Sequence, residues 1–361
     1  MTLRKGMMDR SSMANQFVSD NKHWKTYVLE AHPVESAEAL LRDAFGHHSV
    51  GPTDDDHLFT LSIREASYYV DTLDGRFWSF HTSDSVGVAE RPLTAATSRR
   101  HDLDRVWLPS AHLRAIERHG RTKWVNSDFK AQKFRPAELV HDLTFHASGG
   151  TSQNLLDAIA ELPEYTYALS LDRVGLVAFD ELLGTVDEAV TRKASFLASG
   201  ESFALHQLVV AGTIERYRDL VEAAEALAIG FESSALHRAG EGSDDSSGGQ
   251  MSGTPIELRF SRPLADFDGF LSQIFSSRAP FRLWGNIHDY SDAYAEVEAV
   301  DLHVGGRIRL EISPTMIRIH LRRNGCGNSV ARLISNLQHH VDGNISAVEQ
   351  SIQSRLVLNA A

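Results

Sequence analysis

The chain has 361 residues, with 36 Lys and Arg against 48 Asp and Glu, for a formal charge of −12. Its 42% hydrophobic content excludes disorder throughout, and the acidic excess excludes a uniformly basic nucleic-acid coat. The single cysteine, Cys326, excludes an internal disulfide framework and a four-thiolate zinc site. No apolar run reaches the ~18–20 residues that span a bilayer. With a polar N-terminus that lacks the apolar core of a signal peptide, we expect a cytoplasmic protein with no membrane partner.

In chain order, residues 1–20 are polar and read as a loose leader. A first module, 21–136, opens with an alternating run at 27–29. Pro33 then leads into ESAEALLRDAF, where Ser36 is of a capping type and Leu40-Leu41 and Ala44-Phe45 are four apart, one apolar stripe on a helix. Strand-like runs follow at 58–65, 67–72 and 76–82, with Asp74-Gly75 as a turn. Residues 110–119 read as a helix.

A second module, 137–238, carries a weaker copy of the helix in TSQNLLDAIAEL. It continues with a helix over 181–198, a strand over 203–210 and a helix over 213–228. In that last helix Glu215, Asp219, Glu222 and Glu225 oppose an apolar stripe. Residues 239–254, rich in Gly, Ser and Asp, read as a flexible linker.

The third module, 255–345, repeats the first. Pro263, Asp266, Phe270-Leu271 and Ile274-Phe275 match Pro33, Ser36, Leu40-Leu41 and Ala44-Phe45. Strands at 281–288, 294–304, 307–313 and 316–323 and a helix over 328–341 complete a β-α-β-β-β-β-α order. That order resembles, in topology alone, the fold of TATA-binding proteins. Residues 346–361 are left as a tail. The expectation is an α+β protein of three pseudo-repeated modules, each a mostly antiparallel sheet with helices on one face.

Charge is uneven along this frame: net +1 over 1–136, −13 over 137–250 and 0 over 251–361. The excluded basic coat therefore returns as a local question. Between 98 and 135, Arg99, Arg100, Arg114, Arg118, Arg121 and Lys123 interleave with Trp107, Trp124, Phe129 and Phe134, residue types that neutralise phosphates and stack on bases. The alternate reading is a solvated face or a patch docked on the acidic module.

A second basic surface comes from strand alternation. Arg307, Arg309, Arg318 and Arg322 point one way from two adjacent strands, with His320, Asp301 and His303 expected on the same face. Cross-strand pairing with Glu311 is the competing account. Metal-ligating types cluster at His47, His48, Asp54, Asp55, Asp56 and His57, although in a pattern that reads as an exposed turn. The Gly325-Cys326-Gly327 turn sits before a helix, where a thiolate is favoured, but no partner for Cys326 is assignable.

These features describe a non-enzymatic modular binding protein, a scaffold or accessory subunit. A protein partner meets its acidic module, and the basic surfaces contact nucleic-acid backbone. No cofactor or bound metal is implied. The alternatives are a pure protein–protein adaptor or self-assembling subunit, and a metal- or thiol-dependent enzyme.

Overall fold

The computed structural model describes residues 9–19, 23–135, 142–236 and 246–357. The chain begins with α1 (Arg10–Ser19), β1 (Trp24–Ala31), α2 (Ala37–Phe45), β2 (Val50–Pro52), β3 (Leu58–Ile63), β4 (Ala66–Asp71) and β5 (Phe77–Thr82). Next come α3 (Val86–Arg99), β6 (Leu103–Arg105), α4 (Ser110–Arg114) and, after a 3-10 turn, β7 (Gly120–Lys130). The middle contributes β8 (Asp142–Ser148), α5 (Ser152–Ala160), β9 (Leu171–Asp180), β10 (Gly184–Thr191), β11 (Ser195–Gly200) and the long α6 (Phe203–Ala226). A hairpin of β12 (Gly230–Leu236) and β13 (Ser246–Ser252) leads into the last part. That part is β14 (Ile256–Arg259), α7 (Phe267–Ile274), β15 (Leu283–Ser291), β16 (Tyr294–Asp301), β17 (Arg307–Ser313), β18 (Met316–Leu321), α8 (Asn328–His340), β19 (Ser346–Ala347) and α9 (Gln350–Leu356).

The result is a mixed α and β fold on two antiparallel sheets. Strands β1 to β11 form one eleven-stranded sheet in the order β2-β3-β4-β5-β1-β11-β10-β9-β7-β8, with β6 also against β1. The smaller sheet runs β15-β16-β17-β18-β14-β19. The first and second modules thus share one sheet. The join is β1, whose 24–27 stretch pairs β11 while 29–31 pairs β6.

The first and last parts have one element order and one strand order, in which the opening strand closes against the fifth. Their helices begin alike too: Ser36 accepts from the Ala39 N–H and Asp266 from the Gly269 N–H. The middle part departs from this plan, because β7 stands between β8 and β9.

Several expected elements differ. The helix expected over 181–198 is the β10–β11 hairpin, since Thr185, Val186, Val190 and Thr191 are β-branched and Val186 and Val190 bury on one face. The strand expected over 203–210 belongs to α6, capped by Ser202, with Phe203, His206, Val210, Ile214, Tyr217 and Val221 at helical spacing. The supposed leader contains α1, whose Met13 and Phe17 are buried; residues 1–8 lie outside the described residues. The tail contains β19 and α9, anchored by Ile352 and Leu356. Residues 246–252 of the expected linker pair as β13, through backbone hydrogen bonds that need no apolar side chain; 239–245 lie outside the described residues.

Strand alternation divides the large sheet's faces. Tyr27, Leu29 and Ala31 pack in one core with Leu41, Leu93 and Ala96 of α2 and α3. Trp24 and Val28 look the other way, into a core shared with α6, α8 and the inner face of the small sheet. Every residue of α8 but His340 is buried. Its apolar side (Val330, Ile334, Leu337) joins that core, and on its polar side Asn328 donates to Asp104 of β6 and Ser335 to the Leu108 carbonyl. Arg332 bonds to Asp104 beside β1 and to Asp301 at the end of β16. Asp301 and His303 are therefore buried between the sheets instead of sharing the outward arginine face. In β16 the inward set is Ala295, Val297, Ala299 and Asp301.

Candidate metal centre in an arginine-lined cleft

Glu30 and His32 share the parity of Trp24 and Val28, so both emerge on the side of β1 that faces α6 and α8. Glu30 is fully buried near the strand end, while His32, just beyond it, is exposed. From the small sheet the chain turns at Asn324, whose φ of 64° is left-handed, a region that asparagine tolerates. It then delivers Cys326 to the same point. Gly327 follows with no room for a side chain: a Cβ there would lie 2.2 Å from the Val221 carbonyl oxygen. That close approach seats the Cys326 turn against α6.

The three side chains meet. Cys326 Sγ donates to Glu30 Oε2 at 3.3 Å and lies 3.7 Å from His32 Nε2, which is 3.5 Å from Glu30 Oε1. One ligating atom from each lies within 4.8 Å of the other two. Among the described residues this is where three metal-ligating side chains converge. The His47 to His57 cluster does not gather: Asp55 instead takes Arg10 and caps its own turn at the His57 N–H.

Arg76, from the β4–β5 turn, braces the trio. Its Nε donates to Glu30 Oε1 at 2.7 Å, and its two terminal nitrogens fork onto Glu225 of α6 at 3.0 and 2.5 Å. Glu225 also accepts from the Gly327 N–H at 2.9 Å. Burial works against the Glu225 charge, but Arg76 and that N–H hold its pKa below the ordinary value. The hydrogen bond to Glu30 raises the pKa of His32. Burial, and then the Glu30 charge, push the Cys326 thiol well above its usual value, so the free thiol stays protonated at neutral pH.

The donors are a carboxylate oxygen, an imidazole nitrogen and a thiolate sulfur, a set that suits zinc or another first-row transition ion better than magnesium or calcium. Three protein ligands leave a tetrahedral ion one free position. The trio borders a cleft of about 1440 Å³ between the two sheets, with His32, Arg76 and Cys326 in its lining.

The sequence-marked basic residues separate by location. Arg99 and Arg100 line this cleft. Arg100 is paired with Asp102 and Asp43. Arg114 pairs with Asp157, Arg118 donates to the Gly212 carbonyl, and exposed Lys123 pairs with Asp187. Arg121 is exposed on β7. Trp107, Phe129 and Phe134 are core residues and turn inward, while Trp124 is half-buried with its ring tilted against His146. On the small sheet's outer face Arg309 meets Glu296, Arg318 bridges Glu257 and Glu311, Arg322 meets Glu298, and Arg307 is exposed. Glu30, His32 and Arg76 were missed from sequence. The one available signal was an acid and a histidine two apart at a strand end.

The fold and this trio describe a mixed α and β protein with an arginine-lined cleft beside three converging metal-ligating side chains. The chain belongs to the MJECL33-like protein family, whose profile matches residues 5–356. A relative, the uncharacterized protein MJECL33 of Methanocaldococcus jannaschii, is 23% identical over 362 residues, covering 88% of this chain and 84% of its own. No solved structure matches.

Proposed function

We propose that this chain is a metal-dependent enzyme whose ion is held by Glu30, His32 and Cys326. The observation that carries the reading is the convergence of three different ligating atoms within 4.8 Å of one another beside a large cleft. A bound transition ion supplies a Lewis acid and lowers the pKa of a water in its open position. The chain's own residues fix the rest. Arg76 orients Glu30, Glu225 holds Arg76, and the Gly327 N–H ties Glu225 to the turn that carries Cys326.

The reading of the chain as a scaffold with nucleic-acid-binding surfaces has fewer uncommitted cations to draw on, since Arg309, Arg318 and Arg322 each face a glutamate. No helix among the described residues is long and apolar enough to cross a membrane, which says nothing of strands.

The test is elemental analysis of purified protein after exposure to equimolar zinc and desalting. We expect one ion per chain, and substantially less in Cys326→Ser and in His32→Ala at unchanged thermal stability of the metal-free forms. Wild-type protein that retains no ion, or variants that load as well as wild type, would return the trio to a structural role.

A further inference from the structure

We propose that β15 is a dimerisation edge: it pairs antiparallel with β15 of a second copy, about a two-fold axis at Ile287, and runs the two small sheets into one. β15 ends its sheet, and among the described residues β16 is its one strand neighbour. Leu283 accepts from the Ser277 N–H; beyond it the free side of the strand leaves a row of backbone groups open to another strand. The other strands that end the two sheets are short or polar. β2 has three residues and finishes on Pro52, β19 has two, and β8 turns Asp142, Thr144, His146 and Ser148 to solvent. β15 holds no Pro, Lys or Arg, and it exposes Trp284, Ile287 and Tyr290 at 54, 44 and 48%.

The register with β16 fixes what such a pair brings together. Antiparallel partners share a face, so Leu283, Gly285, Ile287 and Tyr290, opposite Asp301, Ala299, Val297 and Ala295, all look to the core side. His288 has no β16 partner, a bulge that keeps Ile287 and Tyr290 on one side although they are three apart. The core takes in Leu283 but stops short of these two. Pairing about the axis sets Ile287 against its own copy. It sets Tyr290 against Gly285 of the second copy, where an aromatic ring covers an edge glycine. On the outer face Asn286 meets Asp289, amide to carboxylate, and Trp284 meets Ser291. No like charges oppose one another, so the strand complements itself along its length. A second copy is the occupant that fits, because each chain brings both halves of every contact.

Analytical ultracentrifugation of the full chain over a wide range of concentration tests this. We expect a concentration-dependent dimer. Ile287→Lys places two ammonium groups opposite one another at the axis and should raise the dissociation constant by about a hundredfold or more. Ile287→Glu should do the same. An equimolar mixture of these two variants should dimerise again, since Lys then faces Glu, and that rescue shows both variants folded. Phe179→Lys, at an exposed residue of the large sheet, should dimerise as wild type. A wild-type chain that stays monomeric, a dimer indifferent to Ile287→Lys, or a Lys and Glu mixture that stays monomeric overturns the pairing.

Discussion

Arg332 of the central helix forms a buried ion pair with Asp104 of the large sheet, and its other terminal nitrogen reaches Asp301 of the small one. Ser329 donates to Asp301 at 2.5 Å, and Asn328 donates to Asp104 at 2.9 Å. Burial disfavours the Asp104 charge, but Arg332 and His303 outweigh it and hold the carboxyl below its ordinary pKa. Removing the arginine leaves two carboxylates uncompensated. Arg332→Met should therefore cost about 3–5 kcal/mol in urea unfolding. Adding Asp104→Asn and Asp301→Asn should recover much of that loss. A triple variant no more stable than Arg332→Met would show that the arginine acts mainly through packing.

Glu225 touches none of the ligating atoms directly, yet it fixes Arg76, which fixes Glu30. Glu225→Gln keeps the shape and removes the charge that commits Arg76. Supporting residues of this kind typically contribute 10–100-fold to metal affinity. We expect a loss in that range in competition with a chromophoric chelator, with one ion still bound at saturation. An unchanged affinity would place Glu225 outside the support of the centre.

The C-terminal part was the most legible in sequence, because its strands alternate strictly: Ile308, Leu310 and Ile312 bury, while Arg309 and Glu311 remain part-exposed. The paired helix caps at Ser36 and Asp266 were legible for the same local reason. Residues 181–210 misled because short stretches such as DEAV and FALHQLVV suit either period, and tertiary packing decides between them; the helix expected over 213–228 is the later part of α6. The site was half legible. Cys326 stood out as a lone thiol before a helix, but its contacts with Glu30 and His32 are made across 296 and 294 residues. No local pattern encodes contacts of that range. Arg76 was equally hidden, since a turn arginine reads as solvated until Glu225 is folded against it.

Acid should destabilise the fold before carboxylates titrate, because several histidines are buried in neutral form. Burial, reinforced by nearby positive charge, lowers the pKa of His81 to about 3 and that of His112 to about 3; burial likewise lowers His340 to about 4. In the unfolded chain each titrates near 6.5. Between those values the unfolded state binds more protons than the folded one, so stability rises with pH across that window. The contribution is complete above about pH 6.5 and falls away below it. Urea midpoints should drop clearly from pH 7.5 to pH 5.0. His112→Gln, which retains a side-chain donor for the Arg355 carbonyl, should shallow the slope. A midpoint flat over this range would show these histidines charging without loss of packing.

The first helix is an integral part of the core. Phe17 is buried, stands edge-on to Trp24 and Phe203, and stacks parallel to His206 with centroids 5.8 Å apart. It covers a polar chain in which Glu188 pairs with His206, and Thr26 bridges His206 and His81 at 2.7 and 2.8 Å. Truncating Phe17 removes the contacts of a large ring and opens a path for water toward that chain. Phe17→Ala should cost about 3–5 kcal/mol, and Phe17→Leu clearly less. Hydrogen exchange at the β1 amides should quicken in the alanine variant more than at the β17 amides, because β1 lies directly beneath the ring. Equal acceleration in both sheets would mean that α1 supports the whole molecule rather than the β1–α6 contact.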